Sequence, residues 1–273
     1  MKTRLFVICG CPRSGTTWLH NTLIHTRRFR GVEANDRLPA SRALMVTDEN
    51  RYMHALLMRC AYGESVGRAG LSSHYLRILR SLLALRFGVR GDLMLKSPYY
   101  CFFVDSMREL LLAQKFIYIR REMHGVALSM LGHGFLSRQI TGNVNGFCSM
   151  KYRGINFETT HLPPEIADEF LDRYESLTSL DRAMFKSFCF ASAFAETRRN
   201  IPREDLFIFD YESFNTDKSQ QQRFSEFMDL TAAQLKMVLS SFHGKAPKNR
   251  ELPAHDASFT GKLRDAEAGL WAQ

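Results

Sequence analysis

The sequence predicts an α/β fold: a single domain over residues 1–273, with a central parallel β-sheet flanked by helices and a phosphate-binding loop near its start. Three observations predict it. Short apolar runs of β-rich composition alternate with stretches of helical periodicity, an order that builds parallel strands with helical crossovers on both faces of a sheet. The first such run leads directly into a glycine-bracketed loop, Gly10-Cys11-Pro12-Arg13-Ser14-Gly15-Thr16-Thr17-Trp18, and then into a helix. Finally, 273 residues with 45% hydrophobic content can bury a sizeable core, and no long Pro/Gly/Ser linker divides them.

Taken in order, Leu5-Phe6-Val7-Ile8-Cys9 reads as a buried strand, and from Thr16 to Ile24 the residues Trp18, Leu19, Leu23 and Ile24 share one helical face. A short second strand follows near Phe29 to Glu33. Leu38 to Tyr62 and Ser72 to Phe87 carry amphipathic helical patterns, within a Met-, Leu- and Tyr-containing stretch that suits an apolar pocket or ordinary packing equally. Asp92-Leu93-Met94-Leu95 is a third strand, with Lys96-Ser97-Pro98 at its end, and Phe102 to Ala113 a helix. Lys115 to Ile119 is a fourth strand ending in Arg120 and Arg121, and Val126, Ala127, Leu128, Met130 and Leu131 mark the helix after it. Gly132 to Pro164, rich in Gly, Asn and Ser and nearly aperiodic, predicts a long mobile loop. Ser179 to Asn200 predicts a long helix, Leu206 to Asp210 a fifth strand, and Gln221 to Leu230 and Thr231 to Phe242 two closing helices.

The loop carries the chemistry. Backbone amides at a helix N-terminus point outward unpaired, at the positive end of the helix dipole, so an anion placed there meets several donors at once. Gly10 and Gly15 have the spacing of the nucleotide triphosphatase loop G-x-x-x-x-G-K-[ST], but Thr16 stands where that loop has its lysine. The only basic residue left is Arg13, whose guanidinium can grip a terminal oxyanion bidentately with no metal between them. That substitution points to an anion less charged than ATP-magnesium. A tyrosine-phosphatase loop is excluded, because neither Cys9 nor Cys11 satisfies Cys-x5-Arg.

The string PRSGTTW, Pro12 to Trp18, resembles the 5′-phosphosulfate loop of the sulfotransferases, enzymes that move a sulfuryl group from 3′-phosphoadenosine 5′-phosphosulfate (PAPS) to an acceptor hydroxyl or amine. The resemblance implies that Arg13, Ser14, Gly15, Thr16, Thr17 and Trp18 bind the nucleotide, with Trp18 either flanking the adenine or anchoring the first helix. It extends to a second element: family members bind the 3′-phosphate with an arginine at a strand end and a serine eight residues later. Here those are Arg121 and Ser129, with Arg120 the alternative arginine and Met123 standing where the family usually has proline. Lys96 resembles the lysine near the transferring group, and Arg13 and Lys96 together would stabilise charge on the bridging oxygen. The histidine base of the cytosolic branch has no counterpart, since position 98 is Pro98; the bacterial and carbohydrate branch, with a glutamate after the loop helix, points to Glu33, with Asp36 nearby in sequence.

The expected activity is therefore in-line sulfuryl transfer from PAPS, leaving 3′-phosphoadenosine 5′-phosphate (PAP), to a hydroxyl of a small-molecule or glycan acceptor, with no metal. A P-loop kinase of a small metabolite and a non-catalytic nucleotide-binding module are the alternatives. A net charge of +9 suits a polyanionic cofactor, whereas the basic clusters are scattered and lack interleaved aromatics, which argues against nucleic acid as the partner. The six cysteines show no C-x-x-C spacing and read as reduced core residues, and no histidine pair has metal-ligand spacing. With no apolar run of membrane-spanning length and no signal peptide, the expected location is cytoplasmic. In the polar tail, Lys248, Arg250 and Lys262 are further candidates for the 3′-phosphate.

Overall fold

Strand β1, Leu5–Gly10, is buried along its whole length, and its alternate side chains serve two different cores. Leu5, Val7 and Cys9 face one way and Phe6 and Ile8 the other, as the two-residue period of a strand requires. A strand apolar on both faces belongs in the interior of a sheet covered on both sides. In this computed structural model it is the middle strand of five. The others are β2 (Phe29–Gly31), β3 (Asp92–Lys96), β4 (Lys115–Arg120) and β7 (Leu206–Asp210), in the order β2-β3-β1-β4-β7 with every pair parallel. A two-residue hairpin, β5 (Lys151–Tyr152) and β6 (Ile155–Asn156), stands apart.

The structure describes residues 4–31, 57, 92–111, 113–148, 151–152, 155–242 and 253–272. Glu33, Asp36, Lys248 and Arg250 lie outside the described residues, as do the helices expected over Leu38 to Tyr62 and Ser72 to Phe87, apart from Leu57.

One face of the sheet is covered by α1 (Thr16–His25), α8 (Lys218–Met228) and α9 (Ala232–Ser241), through Leu19, Leu23, Phe224, Met228 and Val238. The other receives α3 (Met123–Leu131), the long α7 (Ser179–Thr197) and the C-terminal α10 (Ala257–Trp271). Helix α7 is buried at almost every position, so its charged residues need partners inside the protein. They have them. Thr178 and Asp181 form a capping box, Arg182 donates to the carbonyls of Tyr174, Ile140 and Gly142, and Lys186, fully buried, pairs with the equally buried Glu158 and donates to Phe147 O at 2.9 Å.

The stretch Gly132 to Pro164, expected as a long loop, is instead folded. It forms α4 (Gly134–Thr141), α5 (Val144–Phe147), the β5–β6 hairpin and a 3-10 turn, Phe157–Thr159, ahead of α6 (Pro164–Arg173). Leu136 and Ile140 give α4 an apolar edge, and Asn143 caps α5 by accepting from Gly146 N at 3.1 Å. These elements are too short for periodicity to register in a sequence window. What fixes them is tertiary: both partners of Lys186, Phe147 O and Glu158, lie in this stretch. The helix expected over Phe102 to Ala113 is present as α2 (Val104–Leu111), preceded by a 3-10 turn, Pro98–Phe102, capped by Ser97.

Candidate active site

Strands β1, β4 and β7 end side by side, and the candidate site is built where they end. Gly10 has φ +147°, and a Cβ there would lie 2.8 Å from Ile119 O. Gly15 has φ +111°, with a Cβ position 2.9 Å from the Tyr211 ring. Only glycine meets both conditions. Between them Arg13 adopts φ +74°, a left-handed conformation that bulky residues rarely take and that clusters at functional sites. Helix α1 begins with Gly15 as its N-cap, with no side-chain cap and no acidic residue in its first turn, so its leading amides face the loop mouth uncontested. Ser14 and Thr16 are buried there and Thr17 is exposed.

The arginines sort themselves by partner. Arg120 pairs with Asp210 on β7 and lies over the Trp271 ring. Arg121 turns to the loop: its Nη1 donates to Arg13 O at 2.8 Å, and its guanidinium sits 4.7 Å from the centre of the Tyr211 ring. The Arg13 side chain reaches the same place, donating from Nε to Ser129 Oγ at 3.1 Å. Three residues from two separate stretches of sequence, Arg13 on one and Arg121 and Ser129 on the other, therefore converge. Helix α3, which carries Ser129, is capped at its own N-terminus by Glu122, which accepts from the amides of His124 and Gly125.

Lys96 closes β3 opposite Ile8 and is 3% exposed, so a lysine that could have ended in solvent is buried. Trp18 is anchored: its Nε1 donates to Ser241 O at 2.9 Å and its ring packs edge-on against Phe242 at 4.9 Å. Lys262 pairs with Glu169 on α6, away from Arg121. His124 lies between Glu122 Oε1, at 2.9 Å from its Nδ1, and the Arg264 guanidinium. The five described cysteines are buried, and burial pushes the Cys9 and Cys11 thiols up, which keeps them unreactive.

Sequence reasoning gives no site role to three carboxylates, one of which, Glu212, belongs to a Tyr-Glu pair read as structural. Glu122 and Glu212 flank Arg121, and Glu267 reaches the same region from α10. Burial draws Glu267 up to about 7, with the charge of Glu122 adding and that of Arg120 opposing. Burial raises Glu212 as well. A Tyr-Glu pair directly after the strand beside β4 was legible in the sequence, but only strand order places it next to Arg121.

The residues present fit a phosphorylated nucleotide. Ser14 Oγ and Arg121 Nε are buried without a hydrogen-bond partner among the described residues, and both face a loop whose glycines leave room for backbone amides to approach an anion. Among the described residues no group of three His, Cys, Asp or Glu side chains is placed to hold a metal ion, and no helix is long and apolar enough to cross a membrane.

The profile of the sulfotransferase family matches residues 6–234. Among solved structures, the chain is similar to the sulfotransferase domain of the Synechococcus PCC 7002 olefin synthase, at 15% identity and TM-score 0.52 over 98% of this chain and 96% of that one. It is similar to the sulfotransferase STF9 from Mycobacterium avium, at 16% identity and TM-score 0.51 over 100% and 76% of the two chains. The sulfotransferase domain from the curacin biosynthetic pathway gives 15% identity and TM-score 0.53 over 98% of each. At these identities the likeness is one of fold. No curated protein matches the sequence significantly.

Proposed function

Because this chain belongs to the sulfotransferase family, we propose that it transfers a sulfuryl group from PAPS to a hydroxyl of a small-molecule or glycan acceptor. The observation that carries the choice of nucleotide is the meeting of Arg13, Arg121 and Ser129 at the mouth of the uncapped α1. Arg13 to Thr17, with the α1 amides, bind the 5′ end, and Arg121 with Ser129 bind the 3′-phosphate, while Trp18 anchors the helix. A guanidinium and a hydroxyl are charge-assisted donors suited to a phosphate dianion. Bound there, the nucleotide supplies an activated sulfuryl group.

The remaining work falls to the protein's own side chains. Arg13 and Lys96 stabilise negative charge on the leaving oxygen, an effect strongest in the transition state and strengthened by the burial of Lys96. The Arg13–Ser129 hydrogen bond couples the arginine at the sulfuryl end to the serine at the 3′-phosphate end. Glu33, a few residues beyond β2, takes the acceptor proton in this reading, which requires a carboxylate ionised at working pH and within hydrogen-bond reach of the hydroxyl. In-line transfer of this kind needs no metal, so turnover persists in EDTA.

A thermal-shift comparison of PAP, 5′-AMP and ATP-magnesium tests the nucleotide. PAP is expected to raise Tm more than 5′-AMP, and Arg121→Ala to remove that difference. A shift with ATP-magnesium alone would transfer the chain to the kinase reading. Turnover of labelled PAPS with an acceptor panel then separates an enzyme from a module that only binds.

A further inference from the structure

We propose that Tyr211 and Glu212 are positioning residues that hold the Arg121 guanidinium ready for the 3′-phosphate; the assignment rests on the nucleotide reading above. Arg120 pairs in register with Asp210, so the residues that follow the two strands, Arg121-Glu122 and Tyr211-Glu212, leave the sheet side by side. Tyr211 N donates to Arg120 O at 2.9 Å, which fixes the two chain exits to each other. From there three contacts hold Arg121. Its Nη1 holds the loop carbonyl of Arg13 at 2.8 Å, its face lies 4.7 Å from the Tyr211 ring centre, and its Nε lies 3.8 Å from Glu212 Oε1.

Glu212 does more than neutralise. Its carboxylate stands beside Arg121 where the two strands leave the sheet together, so it limits where the arginine side chain can turn. The Tyr211 ring is a wall shared by both halves of the site: one part of it occupies the space where Gly15 would carry a Cβ, at 2.9 Å, and Arg121 stacks on it. Phe242, at 4.9 Å, backs the ring. Arg121 cannot be replaced from next door, because Arg120 is engaged by Asp210.

The physical need is entropic. A long arginine side chain that is free before binding loses its rotamer freedom when it grips a ligand, and one already held loses less. An exposed ion pair at 3.8 Å contributes little by itself, so the ring face and the loop carbonyl must share the task with Glu212. The arrangement therefore acts on selectivity for the 3′-phosphate more than on overall stability.

The test is the ratio of PAP to 5′-AMP affinity, measured by calorimetry on the full chain, for wild type, Glu212→Ala, Glu212→Gln, Tyr211→Leu, Tyr211→Phe and Arg121→Ala. Glu212→Ala is expected to lower the ratio about fivefold, the scale of coupling between neighbouring groups. Glu212→Gln, which keeps the bulk of the side chain and loses only its charge, should lose less. Tyr211→Phe should restore the discrimination that Tyr211→Leu loses, and in an Arg121→Ala background Glu212→Ala should cost nothing further. If Glu212→Ala leaves the ratio as it was, or raises it because the carboxylate competes with phosphate, the proposal is overturned. If Arg121→Ala itself keeps the wild-type ratio, the nucleotide reading falls and takes this assignment with it.

Discussion

Replacing Glu267 by glutamine should stabilise the protein at alkaline pH and leave it unaltered near pH 4.5. In the unfolded chain this carboxyl ionises near its ordinary value of 4.5, whereas in the fold burial and the nearby Glu122 hold its proton to about 7. Between those limits the folded state binds more protons than the unfolded one, so stability falls as pH rises through that window and levels off above it. The full gap corresponds to a ceiling of about 3 kcal/mol, and solvent contact at this half-buried site reduces it to about 1–2 kcal/mol. Urea unfolding of wild type and Glu267→Gln at intervals from pH 4.5 to 8.5 reads the difference directly, since groups remote from Glu267 contribute equally to both. The two curves should coincide at the acid end and separate, with the variant the more stable, by pH 8. Parallel curves, or a variant less stable at pH 8, would refute the placement of Glu267 among Glu122, Glu212 and Arg120.

Lys186→Met strands the fully buried Glu158 carboxylate and should cost about 3–5 kcal/mol in urea unfolding, while adding Glu158→Leu recovers much of it; equal losses in the single and double variants would mean that the pair is not what holds this region. Gly15→Ala forces a side chain into a left-handed position against the Tyr211 ring, so we expect about 1–3 kcal/mol lost in stability and, by calorimetry, PAP binding weakened more than tenfold. Gly10→Ala meets a backbone oxygen, Ile119 O, which cannot swing aside as a ring can; its Tm should fall further than that of Gly15→Ala, and the opposite order would contradict the packing of the loop on β4.

How much of this could be read in the sequence depended on how local the cause was. The strand-loop-helix start is local: Leu5 to Ile8 are apolar at every position, the glycines sit where the backbone must turn with positive φ, and α1 follows at once. The spacing of Arg121 and Ser129 is local too, because a strand end and the next helix are joined by a single turn. The folded state of Gly132 to Pro164 was not legible, because its elements run to eight residues or fewer and owe their conformation to Lys186 far along the chain. Lys96 could not be placed for a similar reason: a lysine at a strand end reads the same whether it faces water or, as here, is buried.

The sequence by itself determined which residue types could meet an anion and in what order the strands and helices run. The tertiary structure decided which of them meet. Parallel pairing in the order β2-β3-β1-β4-β7 brings three strand ends together, and that adjacency, invisible along the chain, assigns Arg120 to Asp210, leaves Arg121 for the loop, and sets Tyr211 and Glu212 beside it. Backbone conformation is written in neighbouring residues, whereas the partner of a charged side chain is chosen by which strand lies next to its own.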